Sequence, residues 1–164
     1  MNKINLEQLY KYQKDLDDEI ANIHHVDYSS THKKRLLALL VEIGELANET
    51  RCFKYWSNKG PSPKERIMDE YADGLHFFLS LGIPLKTTKF EYELNKNSED
   101  LTDQFHKLYS LITILQTNYN LHNYIKAFSY FLNLAYSLDM TSNDIVDSYL
   151  VKLNVNHKRQ ETNY

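Results

Sequence analysis

Residues 36–82 read LLALLVEIGELANETRCFKYWSNKGPSPKERIMDEYADGLHFFLSLG. Two helical patterns flank one break here, and this hairpin decides the fold. Leu36, Leu39, Leu40, Ile43, Leu46 and Ala47 follow the i, i+3, i+4, i+7 rule, which predicts a long helix from near Thr31 to Cys52. WSNKGPSP, residues 56–63, is the clearest loop in the chain. At its end Ser62 suits an N-cap, Pro63 suits the first helical position, and Glu65 would complete a capping box. The next helix should run to about Leu81, with Ile67, Tyr71, Leu75 and Phe78 on one face, stopped by Gly82 and Pro84. So short a loop makes the two helices antiparallel neighbours.

Working outward, Leu6, Leu9, Gln13, Leu16 and Ile20 predict a first helix from near Leu6 to near Ile20. His24 to Ser30 reads as a polar connection. Residues 83–97 are the least regular segment and read as a long connection. Ser98 is a candidate cap for a fourth helix through Phe105, Leu108, Ile112 and Leu115. A fifth, aromatic-rich helix spans about Leu121 to Tyr136. Thr141 with Asp144 caps a last helix carrying Ile145, Tyr149 and Leu153, which ends in Asn156-His157-Lys158-Arg159. The expectation is an all-α bundle of about six helices in a single domain, residues 1–164.

Composition agrees. The 164 residues are 42% apolar, enough for one sizeable core. Four glycines and three prolines are few for an all-β or α/β chain. No two glycines are spaced for a phosphate-cradling loop, so phosphate handling would fall to metal ions and basic side chains. A net charge of −3 gives no reason to expect a nucleic-acid or anionic-membrane partner. The opening MNKINLEQLYKYQKD lacks an apolar signal core, and no run approaches a membrane span. With Cys52 as the one cysteine, a cytoplasmic protein is expected. The thirteen tyrosines read as packing and interface residues.

Chemistry concentrates on the hairpin. Glu42, Glu45 and Glu49 are spaced 3 and 4 apart on one stripe, and Glu70 and Asp73 are again three apart. Both sets lie beside the apolar face, so Glu42, Glu45, Glu70 and Asp73 can converge. Converging carboxylates repel and lose hydration, and a hard divalent cation with oxygen ligands, Mg²⁺ above all, would neutralise them. Carboxylate-held Mg²⁺ leaves positions for substrate phosphates, which makes phosphoanhydride hydrolysis the leading chemistry. Acidic pairs at this spacing also occur on plain solvated faces. A di-iron reading, from Asp73-x-x-His76 and Asp103-x-x-His106, has the shorter Asp where such sites use Glu and no helix between the two pairs to supply the second lone glutamate.

EIGELANETRCFKYWS followed by DEYADGLHFFLSLGI resembles the dimeric dUTPases of the all-α NTP pyrophosphatase superfamily, related to MazG-like enzymes. That superfamily carries ExxE and ExxD on successive helices, and 24 residues separate Glu45 from Glu70 here. The pattern Tyr149-x-x-Lys152-x-x-x-Asn156-x-x-Arg159-Gln160 and the N-terminal LYKYQKDLDDEI are similar to the family too. The carboxylates specify pyrophosphohydrolase chemistry, while FKYWS and DGLHF point to the dUTPase branch.

The resemblance implies a homodimer that hydrolyses dUTP to dUMP and pyrophosphate. Glu42, Glu45, Glu70 and Asp73 would bind Mg²⁺. Glu45 and Glu49 are the candidates to take a proton from the attacking water. Lys152 and Arg159 would hold phosphate oxygens, and Lys54 could reach one. Asn156 and Gln13 would read the uracil edge, Trp56 and Phe77 would pack around the base, and His76 would lie near base or sugar. Each has a plain alternative: Trp56 closing the hairpin, Gln13 solvated, Phe77 in the core, Lys152 and Arg159 complementing a helix dipole. The competing functions are a dCTP or broad-specificity pyrophosphohydrolase and a non-catalytic, protein-binding helical module.

Overall fold

The computed structural model of the chain describes residues 2–164, and these contain six α-helices and one pair of short strands. Helices α1 (Glu7–His24), α2 (Tyr28–Thr50), α3 (Lys64–Gly82), α4 (Leu101–Ile114), α5 (Leu121–Ser137) and α6 (Ser142–Glu161) form an all-α bundle. Among the described residues, no helix is long and apolar enough to cross a membrane.

Helix α3 is the centre of the bundle. It packs against α1, α2, α5 and α6. Its buried residues run nearly all the way round, from Ile67, Glu70 and Tyr71 to Leu79, Ser80 and Leu81, as a helix walled on every side requires. Ile43 and Leu46 of α2 and Leu75 and Phe78 of α3 are fully buried in one continuous core. Each such side chain contributes about 1.5–3 kcal/mol. The Tyr71 ring stacks on Phe131 at 4.2 Å, and its hydroxyl donates to the Phe131 carbonyl at 2.9 Å.

The caps follow local chemistry, with corrections to the sequence reading. Helix α2 starts three residues early because Asp27 accepts from the Ser30 N–H at 2.7 Å and Ser30 Oγ accepts from the Asp27 N–H at 3.0 Å. The expected Ser62–Glu65 capping box does not form. The Ser62 hydroxyl donates to the Glu49 carboxylate instead, its N–H donates to the Glu49 carbonyl at 2.9 Å, and α3 begins after Pro63. The cap of α4 is Asp100, not Ser98. The Thr141–Asp144 box on α6 forms as read.

The segment 83–97 is more ordered than a plain connection. It holds a 3-10 turn at Ile83–Leu85 and strand β2 (Glu91–Glu93), antiparallel to β1 (Lys3–Asn5). Ile4 faces Tyr92, both are buried, and their neighbours are exposed, so each strand contributes one side chain to the core.

At Gly82 two helices approach more closely than a side chain allows. A Cβ there would lie 2.3 Å from the Tyr124 hydroxyl and 2.5 Å from its ring. That ring is fully buried, and its hydroxyl is fixed by the Phe78 carbonyl at 2.8 Å and Tyr10 at 2.7 Å. Gly82→Ala gains about 1 kcal/mol of helix propensity but must displace a fixed ring, and overpacking of this kind costs about 1–3 kcal/mol. The clash should win. Urea denaturation is expected to show a less stable protein, and an unchanged or higher midpoint would contradict this packing.

Candidate active site

Three carboxylates meet where α2 faces α3. One oxygen each from Glu42, Glu45 and Glu70 lies within 4.8 Å of the others. The spacing of α2 puts Glu42 and Glu45 one turn apart, and the hairpin brings Glu70 across. Asp73, one turn after Glu70, is outside that trio and pairs with Lys152 of α6 at 3.1 Å. The same ammonium holds Asp69 at 2.8 Å. On the outer side Arg66 spans Glu49 at 3.1 Å and Glu70 at 3.2 Å.

This crowding perturbs the acids. Burial first, and then Glu45, Asp73 and Glu70, push the Glu42 carboxyl up to about 8. Burial and the neighbouring acids also raise Glu70, and burial raises Asp73 against the pull of Lys152. Glu49 goes the other way, because Ser62 and Arg66 stabilise its charged form. Burial opposes the charge on Lys152, yet Asp69 and Asp73 together hold its ammonium above the ordinary lysine range.

Glu42 Oε2 is buried with no hydrogen-bond partner among the described residues. A buried, unpartnered carboxylate oxygen beside two more carboxylates is the donor set a hard divalent cation takes. The residues present therefore fit such an ion.

Glu42 and Asp73 lie in the wall of a cavity of about 450 Å³. Gln13 and Asp17 of α1, Arg35 and Glu42 of α2, and Asp73, His76, Phe77 and Ser80 of α3 line it. Asn156 and Arg159 of α6 complete it, with Tyr164 beyond. Gln13 is buried, its Nε2 donating to Asp17 at 2.9 Å and its Oε1 accepting from the Tyr149 hydroxyl at 3.0 Å. His76 stacks on the Tyr149 ring at 4.2 Å, and burial pushes its imidazole down to about 3, so it is neutral. Both its ring nitrogens lack a hydrogen-bond partner among the described residues. Arg159 lies over the Tyr164 ring, 4.7 Å from its centre.

Of the residues singled out from sequence, Gln13, Glu42, Asp73, His76, Phe77, Asn156 and Arg159 share this cavity. Glu45 and Glu70 adjoin it through the carboxylate trio, and Lys152 through Asp73. Lys54 and Trp56 are not among the lining residues. They lie on the loop between α2 and α3, where Trp56 is 64% exposed against Phe53 and Tyr55. His106 is exposed on α4. Sequence reading missed Asp69, Asp17 and Arg66. Asp69 is i−4 from Asp73 and Arg66 is i−4 from Glu70, so helical spacing was the signal.

A family model described as dUTPase matches residues 5–164. No curated protein matches the sequence.

Raised carboxyl pKa values give a signed expectation. A group with a raised native pKa binds an extra proton when folded, so its contribution to stability is full below the ordinary carboxylate range and lost as pH rises. In chelator, the thermal midpoint should fall between about pH 5 and pH 8, the span set by Glu42. Glu42→Gln should flatten that fall. Parallel midpoint curves for wild type and variant would contradict the crowding.

Proposed function

As this chain belongs to the dUTPase family, its activity is hydrolysis of dUTP to dUMP and pyrophosphate with a divalent metal, and we propose how its own residues divide that work. The metal is Mg²⁺, held by Glu42, Glu45, Glu70 and Asp73 within one domain spanning residues 1–164. One observation carries this reading: the buried, unpartnered Glu42 Oε2 belongs to a carboxylate trio and Glu42 also lines a cavity. When bound, the metal supplies charge neutralisation for the triphosphate and polarises the attacking water.

Glu45 is the proton acceptor. It is the exposed member of the trio, open to a water, while Glu49 is engaged by Ser62 and Arg66 and serves to orient. Lys152 has three N–H donors, and Asp69 and Asp73 occupy two, which leaves one for a phosphate oxygen. Arg159 offers a planar fork to the phosphates from the same helix face. Gln13 and Asn156 read the base edge. Phe77 packs against the base, and the neutral His76 offers a nitrogen to base or sugar.

A homodimer completes the reading. Leu37 and Val41 of α2 and the loop aromatics Phe53, Tyr55 and Trp56 are exposed apolar surface, the kind that association covers. Lys54 and Trp56 reach a nucleotide if that loop moves over its own cavity or meets that of a second copy. The single unpaired Cys52 supports action in the cytoplasm.

Glu45→Gln removes the acceptor and keeps the shape. It should lower kcat by about 10²–10⁴-fold with an unchanged circular dichroism spectrum. A near-wild-type rate would put the proton acceptor elsewhere. Lys152→Ala and Arg159→Ala should each weaken a non-hydrolysable dUTP analogue by about 10–100-fold, the worth of a charged hydrogen bond, and dUMP by less. Equal losses for the two ligands in calorimetry would assign these residues to the base or to the fold.

A further inference from the structure

We propose that Asp17 fixes the orientation of the Gln13 side-chain amide, and thereby makes the cavity select uracil over cytosine. The inference rests on the reading that Gln13 faces the base.

An amide that meets a base edge is ambiguous unless something distinguishes its two ends. Gln13 carries two N–H donors and two acceptor lone pairs. One donor goes to Asp17 Oδ1 at 2.9 Å, and one lone pair takes the Tyr149 hydroxyl at 3.0 Å. One N–H and one lone pair remain on a residue that lines the cavity. That pair complements the carbonyl and N3–H of uracil. Cytosine presents an amine and a bare nitrogen at those positions and needs the amide reversed.

Tyr149 does not forbid reversal. Its hydroxyl also lies 3.3 Å from the Leu9 carbonyl, so it can donate there and accept from a reversed amide. Asp17 does forbid it. Reversal would set the Gln13 oxygen against the Asp17 carboxylate. Burial raises the Asp17 carboxyl above its ordinary value, and the hydrogen bonds from Gln13, Ser80 and Tyr28 with the charge of Arg35 oppose that rise and hold it as an acceptor. The hydroxyls of Ser80 and Tyr28 donate to Oδ2 at 2.8 and 3.0 Å. Arg35 braces both donors, from Nη1 to the Ser80 carbonyl at 3.1 Å and from Nη2 to the Tyr28 carbonyl at 2.8 Å. Asp17 is thus a positioning residue, acting through Gln13 from three elements at once.

The test compares dUMP with dCMP by calorimetry in chelator, and dUTP with dCTP by kcat/KM. Wild type should favour the uracil member of each pair. Asp17→Asn keeps the shape but can present either a donor or an acceptor to Gln13. It should shrink both preferences by about tenfold or more, since discrimination by a hydrogen-bonded site depends on leaving the wrong ligand's partners unpaired. An equal loss for both bases, or an unchanged preference, overturns the proposal. Gln13→Ala separates the failures. If it leaves base preference intact, Gln13 does not face the base and the premise falls. If it abolishes preference while Asp17→Asn does not, only the role of Asp17 falls. Nitrogen-15 NMR of wild type needs no variant: one Gln13 amide proton should be shifted downfield by the carboxylate it donates to. Two Gln13 amide protons at ordinary side-chain positions would overturn the proposal.

Discussion

Three carboxylates held within 4.8 Å of one another is the constraint on which the rest of this molecule depends. At an effective dielectric of about 20, two charges at that distance repel by about 3–4 kcal/mol, less where Glu45 is open to water. The α2–α3 hairpin overcomes this by packing, with Ile43, Leu46, Leu75 and Phe78 fully buried beneath the acids. Protonation at Glu42 and the two cationic bridges relieve the remainder. Lys152 makes this a demand on the whole fold, because its ammonium reaches Asp69 and Asp73 only if α6 lies along α3.

From the same constraint follows the division of the cavity. Glu42 of α2 and Asp73 of α3 share its lining with Arg159 and Asn156 from α6 and Gln13 from α1. Acids and a guanidinium in one cavity are the setting in which we propose that a metal and a triphosphate bind. Other polar groups of the cavity are neutral or saturated: His76 is uncharged, and Asp17 has its donors in place. That is the environment in which a base edge is read by hydrogen bonds.

Much of this was legible in the sequence where one helical period carries the information. The 3 and 4 spacing of Glu42, Glu45 and Glu49, the apolar stripes of α2 and α3, and the Thr141–Asp144 cap all depend on residues within one or two turns. What was not legible depends on partners far along the chain. Ser62 looked like a cap until Glu49 competed for its hydroxyl. Strand Glu91–Glu93 is too short to show alternation, and its partner lies at residues 3–5. Asp69 reads as a solvated acid beside the ExxD motif until Lys152, 83 positions later, reaches it. Gln13 is singled out in the sequence, but the direction its amide faces depends on Asp17 and on Tyr149, far along the chain.

The central claim is that the acid trio exists to hold a divalent cation beside a nucleotide. Calorimetric titration of Mg²⁺ into wild-type protein, with and without a non-hydrolysable dUTP analogue, tests it most directly. The account predicts saturable Mg²⁺ binding that the analogue strengthens, and its loss in Glu42→Gln together with Glu70→Gln. Absence of Mg²⁺ binding in both titrations, or binding that survives the double substitution, would contradict it.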